Sequence, residues 1–217
     1  WFFYLFRKMQ LILASAVGPS TLGGFLGRTE VARFPYLSDQ SAGAFIVLFG
    51  VAIYHARRHL RQVFSISPKD RNEPMRYRFS LLGIVGGLLF LVLFCLKMGM
   101  SLWVILLFFS LYYAISIVIT RMRAELGPPT HELTGMNAGQ IMVNTFGAGR
   151  LGTKNLLMIS HYFWFFNRTY RNHAMPQQLE ALKIAQRTGV NPKTVVYAVL
   201  MGSILVRIAA FWADLHI

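Results

Sequence analysis

Charged residues meet a rigid chain break at the end of a long apolar run. Arg121 and Arg123 precede Glu125 in the stretch TRMRAELGPP, and Gly127 and Pro128 then oppose any continuation of a helix. A charge at the centre of a membrane helix costs about 2.5–3.5 kcal/mol, so charges usually lie at span ends. The simpler interpretation is a charged anchor at the membrane interface. The functional interpretation is that Glu125 faces a polar cavity beside a broken helix.

A further arginine lies inside the last apolar segment of the chain. Arg207 follows a long uncharged run, so its guanidinium either snorkels to the interface or is buried against a partner. Asp214 lies two turns further along the same segment. The other candidate partners are Asp39, Glu125 and Glu132, and the sequence leaves this pairing open. We therefore treat Arg207 as a candidate cavity residue.

No residue pattern indicates a catalytic or metal site. His55 and His59 are four residues apart, a spacing that can bind zinc, but the sequence shows no third ligand. No nucleophile elbow, phosphate-binding glycine loop or zinc-protease motif occurs. We expect no metal, no other cofactor and no enzymatic activity. A lipid-headgroup site built from polar residues at helix ends is the remaining enzymatic alternative.

The composition indicates an integral membrane protein. Of 217 residues, 55% are hydrophobic and only 14% are charged, with a mean hydropathy of +0.47. A soluble domain carries roughly a quarter charged residues. The net charge of +14 comes from basic residues between apolar runs, as the positive-inside rule expects. No nucleic-acid-binding module accompanies this charge, so we expect no nucleic-acid partner.

The apolar runs predict an all-α, polytopic transmembrane helix bundle. The uncharged residues 79–96 would extend about 27 Å as a helix, close to the ~30 Å hydrocarbon core. Spans are predicted at 38–56, 79–97, 101–120 and 193–213. The second and third form a tight hairpin. We expect one domain over residues 1–217, a fragment of a larger bundle with at least one span missing or cut at each end.

Basic residues set the predicted orientation. The loops 57–78 and 168–193 are rich in Lys and Arg, and the first lies two passes away from Arg121 and Arg123. Both loops and these arginines therefore fall on one side of the membrane, which the positive-inside rule makes cytoplasmic. We expect the bacterial inner membrane.

Several segments are too short for a complete span. These are residues 1–17, 135–147 and 153–167, of which the last two could form a re-entrant hairpin or a broken helix. The competing interpretation makes 151–168 a single pass, which would break the charge rule. Residues 175–188 predict an amphipathic helix on the membrane surface.

Glycines in the hairpin favour close helix packing. Gly83 and Gly87 have the G-x-x-x-G spacing that lets two helix backbones approach. Glycine is common in membrane helices, so this pattern predicts packing without naming the partner helix.

Two stretches carry a resemblance to known families. The segment from RYRFSLLG to RAELGPP, with NRTYRNHAMPQQLEALKIAQRTG, resembles a family of uncharacterised bacterial polytopic membrane proteins, a domain of unknown function. The first stretch is also distantly similar to the A-E-T-G-x-P-P segment of oligopeptide transporters. Leu126 stands in place of the threonine, and Pro128 follows Gly127 directly. That resemblance implies an alternating-access transporter in which Glu125, Gly127 and Pro128 adjoin a broken-helix cavity.

The function that we expect is secondary transport of an unknown substrate. The alternative is a membrane scaffold or a subunit of a larger membrane complex. The expected partners are the lipid bilayer and either further copies of the chain or other membrane subunits.

Overall fold

A computed structural model describes residues 1–17, 37–64, 77–128, 137–162 and 173–216. This part of the chain is all-α and contains no strand, which confirms the predicted fold class. The helices are α1 (Phe2–Val17), α2 (Leu37–Phe64), α3 (Tyr77–Lys97), α4 (Leu102–Leu126), α5 (Ala138–Phe146), α6 (Ala148–Leu151), α7 (Thr153–Tyr162), α8 (Ala174–Thr188) and α9 (Pro192–His216).

Three of the described helices are long and apolar enough to cross a membrane. They are Phe79–Lys97 in α3, α4 and α9. Each coincides with a predicted span, and together they show an integral membrane protein. The span predicted at 38–56 lies in α2, which is 28 residues long and polar at both ends. It is not among the three, so its membrane crossing stays a prediction.

Helix α4 is the central helix of the described bundle. Half of the residues in its apolar stretch are buried, whereas the buried share is 6% in the apolar stretch of α3 and zero in that of α9. It contacts α2, α3, α5 and α8, whereas α9 contacts α8. The packing face of α2 consists of Ala42, Phe45, Phe49 and Ala52, whose spacings of three and four residues place them on one side of the helix.

The turn between α3 and α4 has the hydrogen bonds of a glycine-terminated helix. The N–H of Gly99 donates to the carbonyl of Leu96 at 3.0 Å, and that of Met100 donates to Cys95 at 3.1 Å. This is the Schellman pattern, and Gly99 takes the positive φ of 88° that it requires. Ser101 is then extended and begins α4. These local rules produce the predicted tight hairpin.

Helices α5, α6 and α7 form a segment with two breaks. Gly147 has φ 77° and ψ 150°, and Gly152 has φ 76° and ψ 154°. Only glycine adopts this backbone region readily. Asn137 begins the segment, because its side-chain Oδ1 accepts the N–H of Gln140 at 2.8 Å. Helices therefore occupy 138–146 and 153–162 of the segments predicted at 135–147 and 153–167, and residues 163–167 lie outside the described ranges. Whether these segments enter the membrane stays a prediction.

Helices α3 and α9 turn apolar side chains outward. Leu82 and Phe90 on α3 and Val206 and Phe211 on α9 are more than 60% exposed. A Cβ added to Gly83 or to Gly87 would meet no atom within 4 Å. Within the described part of the chain no helix packs on these two glycines, so their predicted packing needs a partner from elsewhere.

Candidate functional site

The two arginines at the end of α4 have different partners. Arg121 Nε donates to Glu125 Oε1 at 2.7 Å within the helix, and the Glu125 side chain is 59% exposed. Arg123 Nε donates to Glu180 Oε1 and so joins α4 to α8. The predicted set of charges therefore separates into a local pair and a pair that ties two helices together. Glu180 lies 57 positions from its partner, and no pattern in the sequence points to it.

Gly127 ends α4 as the sequence predicts. It is left-handed at φ 61°, and its N–H donates to the carbonyl of Arg123 at 3.0 Å. Pro128 follows and is half-buried, and Pro129 lies outside the described residues. Glu125 is next to this break, on the exposed end of the helix. A hydrated cavity at Glu125 stays a prediction.

Arg207 lies apart from these charges. It is exposed on α9, and neither ion pair found among the described residues includes it. The structure therefore does not bring Arg207 together with Glu125 or Asp39. Asp39 instead accepts a hydrogen bond of 3.3 Å from the Asn144 side chain.

Helix α7 runs beside the first two turns of α4 in the same direction. At its start, Asn155 Oδ1 accepts the N–H of Ser101 at 2.9 Å. At its end, the Tyr162 ring lies 5.8 Å from that of Phe108 and 6.2 Å from that of Phe109. Seven residues separate the first and last contacts on both helices, so the two axes are close to parallel.

Helix α8 continues along the remaining turns of α4. The ring of His173, which begins α8, lies 6.0 Å from that of Tyr112. Seven residues later, Glu180 binds Arg123. Helices α7 and α8 therefore follow α4 one after the other. We call the place on α4 where the contacts of Tyr162 give way to those of His173 the α7–α8 break. Residues 163–172 lie outside the described ranges.

The depth of this break is given by α4. Phe109 and Tyr112 are eight and eleven residues beyond Ser101, or about 12–17 Å along the helix. A hydrocarbon core is ~30 Å thick, so the break lies near the middle of the span. The helix predicted at 175–188 is observed as α8, whose first turn lies beside this part of α4. Its predicted position on the membrane surface stays a prediction.

Aromatic rings lie on α4 at the break and on the residues of α7 and α8 that contact it there. The ring centres of Tyr112 and Tyr113 are 5.4 Å apart, and the interplanar angle of 70° makes the contact edge-to-face. Tyr113 also lies 6.4 Å from Phe109. We call the following set the aromatic cluster: Phe108, Phe109, Tyr112, Tyr113, Tyr162 and His173. Four of its six members carry a hydroxyl or an imidazole. The cluster therefore combines apolar ring faces with polar groups that can form hydrogen bonds.

The aromatic cluster was missed by sequence reasoning. Tyr112 and Tyr113 lie inside a predicted span, where tyrosines are common near either end. The available signal was their position eleven and twelve residues into the run from Ser101, too deep for an interfacial tyrosine. His173 gave no signal, because its neighbour in space is 61 positions away in sequence.

Hydrogen bonds fix both ends of α7. Cys95 Sγ and the Tyr162 hydroxyl are 3.0 Å apart, and both side chains are buried. Asn155 Nδ2 donates to the carbonyl of Leu151 at 2.7 Å and to Ser101 Oγ at 3.2 Å. Buried polar groups are stabilising only when they are bonded in this way.

Helix α5 runs opposite to α4 and begins near the same depth as the break. The rings of Phe146 and Trp103 are 5.7 Å apart at one end. At the other end, a Cβ added to Gly139 would lie 2.5 Å from Ile159 Cγ2 and 3.9 Å from Phe108. Helices α5 and α7 are thus the two arms of a hairpin, and Gly139 permits their close approach.

The described residues contain no group of three or more His, Cys, Asp or Glu side chains placed to hold a metal ion. His55 is exposed on α2.

One family model matches the whole chain, residues 1–217. Its description is a family of unknown function, DUF6785. The chain belongs to this family. Membership of a family of unknown function confirms the first resemblance found in the sequence. The DUF6785 description says nothing of bacterial origin or of oligopeptide transporters, so both stay predictions. No curated protein matches the chain, and no solved structure matches it.

Proposed function

We propose that this membrane protein is a secondary transporter whose solute path passes the α7–α8 break. The observation that supports the proposal is the start of α8 at His173, beside Tyr112 in the middle part of α4. Irregular backbone at membrane depth is tolerated where protein encloses it or where it lines a water-filled cavity. Discontinuous helices of this kind form the solute sites of many transporters.

The chemistry of the aromatic cluster supports a binding role. The N-terminal end of α8 presents N–H groups, and the side chain of its N-cap residue, His173, does not cap them. Tyr112, Tyr113 and His173 add side-chain groups that can donate or accept hydrogen bonds. A polar solute that loses its water at mid-depth would find replacement hydrogen bonds there. Arg121 and Glu125 would lie at one mouth of the same path.

Uptake by reconstituted protein tests the proposal. Proteoliposomes containing the chain are supplied with a panel of labelled short peptides under sodium or proton gradients. We expect uptake of at least one peptide above that of protein-free liposomes, reduced about tenfold or more by His173→Gln. Tyr112→Phe should also reduce uptake, and Tyr197→Phe, which changes an exposed tyrosine of α9, is its matched control. Equal flux with and without the His173 substitution would remove the break from the solute path.

Glu125 is tested separately. Glu125→Gln leaves the size of the side chain unchanged and removes its charge. Wild-type flux in this variant would leave Glu125 as the interfacial anchor that its exposure suggests.

A scaffold role is the second candidate, and the outward faces of α3 and α9 favour it. Gly83 and Gly87 have no neighbour in the described bundle, as expected if another subunit packs there. Purification in a gentle detergent separates the candidates. A stoichiometric set of other membrane subunits would favour the scaffold, and a lone chain or a homo-oligomer would favour the transporter.

A further inference from the structure

Helix α2 carries a row of cations on the side away from the bundle. Its packing face includes Ala52, and a residue two positions further along points about 200° away. Tyr54, Arg58 and Arg61 follow at spacings of four and three, so they share the opposite side. Arg57 adjoins them, with its guanidinium 3.9 Å from the centre of the Tyr54 ring. We call these four residues the basic face of α2, and all four are exposed.

The depth of the basic face follows from contacts at the other end of α2. Asp39 bonds Asn144, near the end of α5 that contacts Trp103. Arg57 lies eighteen residues further along α2, or about 27 Å. If α2 crosses the membrane as the sequence predicts, the basic face lies at the opposite interface from Asp39. That is the depth of phospholipid headgroups.

The charges of this face are not balanced by the described carboxylates. The two ion pairs found among the described residues use Arg121 with Glu125 and Arg123 with Glu180. The arginines of α4 are thus compensated, whereas Arg57, Arg58 and Arg61 enter neither pair.

We propose that the basic face of α2 binds the phosphates of anionic phospholipids. The guanidinium groups supply paired donors for phosphate oxygens, and Tyr54 supplies the amphipathic ring that favours the membrane interface. Val51, exposed two turns before Arg58 on the same side of α2, can contact the acyl region beside the headgroups. A face that mixes cations with apolar side chains matches a lipid better than a free phosphate ion. This inference does not depend on transport.

Lipid titration followed by native mass spectrometry tests the inference. Purified full chain in detergent is titrated with phosphatidylglycerol and, separately, with phosphatidylcholine. An anionic surface attracts each nearby Lys or Arg enough for about a fivefold gain in affinity. We therefore expect Arg57→Gln/Arg58→Gln/Arg61→Gln to weaken phosphatidylglycerol binding by roughly tenfold or more and to leave phosphatidylcholine binding within about twofold.

Two further variants make the result specific. Arg150→Gln/Lys154→Gln removes two exposed cations from α6 and α7, at the other end of the bundle, and should leave phosphatidylglycerol binding within about twofold. Arg57→Lys/Arg58→Lys/Arg61→Lys keeps the charge of the basic face and should retain most of the phosphatidylglycerol binding. The inference is overturned if wild-type protein does not prefer phosphatidylglycerol, or if the Arg150/Lys154 control loses as much as the basic-face variant. It is also overturned if free phosphate competes as well as the lipid.

Discussion

Asn155 on α7 and Ser101 at the start of α4 exchange two hydrogen bonds across 54 positions of sequence. The Ser101 N–H is one of the donors that a helix start leaves without an intrahelical acceptor. Asn155 Oδ1 accepts it, so a side chain of the broken segment caps the central helix of the bundle. A change that displaces α7 should therefore also destabilise the first turn of α4.

We expect Asn155→Ala to destabilise the protein by about 1–3 kcal/mol, because it leaves a partly buried backbone donor without its acceptor. Thermal unfolding in detergent, followed by circular dichroism, measures the effect. Asn144→Ala is the control, since Asn144 is exposed and its bond to Asp39 is long at 3.3 Å. A loss of stability as large in the control as in Asn155→Ala would contradict the capping role.

We expect Gly139→Ala to destabilise the α5–α7 hairpin by about 1–3 kcal/mol, because its Cβ would overlap Ile159 Cγ2. Gly149→Ala should stay within about 0.5 kcal/mol of wild type, since nothing lies within 4 Å of its added Cβ. Chemical unfolding in a mixed micelle compares the two. The Gly139→Ala/Ile159→Ala double variant should lose less stability than the sum of the losses measured for the two single variants. Strict additivity would show that the two residues do not meet.

We expect the Arg123–Glu180 pair to couple two helices and the Arg121–Glu125 pair to act within one. Arg123→Glu and Glu180→Arg should each loosen α8, and the combined swap should recover part of the loss, with a coupling energy of about 0.2–1 kcal/mol for a pair that solvent still reaches. Limited proteolysis between α7 and α8 reports the loosening. The swap of Arg121 and Glu125 should leave that cleavage rate unchanged. An equal rise in cleavage from both swaps would argue against a specific link to α8.

We expect Cys95 to resist alkylation in the folded protein, because its side chain is fully buried against Tyr162. Tyr162→Phe removes the hydroxyl that contacts the sulfur and should raise the alkylation rate several-fold. Mass spectrometry after a timed maleimide pulse measures the rate. Lys193→Cys, at an exposed position at the start of α9, gives the full rate for comparison. Rapid labelling of Cys95 in wild-type protein would mean that the end of α7 opens readily.

Local rules account for the part of the fold that the sequence predicts. The hairpin at Gly99, the end of α4 at Gly127 and the end of α8 at Gly189 each follow from one glycine with positive φ. Asn191 begins α9 by accepting the N–H of Lys193 at 3.0 Å, as a cap should. Each of these features is decided by residues within one turn of the chain.

The candidate site depends on contacts that no local rule specifies. His173 meets Tyr112, and Tyr162 meets Cys95, across more than 60 positions each. Apolar periodicity shows which side of a helix is buried, but it does not give the depth at which two helices meet. The prediction therefore placed a broken segment near residues 135–166 and identified charges at span ends. It did not find that α7 and α8 align along α4.

The short length of α8 has a consequence for biosynthesis. Its fifteen residues extend about 22 Å, and a segment needs about 20 apolar residues to enter the bilayer alone. Helices α3 and α4 meet that length. We therefore expect the hairpin of α3 and α4 to be inserted first and α8 to join its surface later, as the nascent chain assembles.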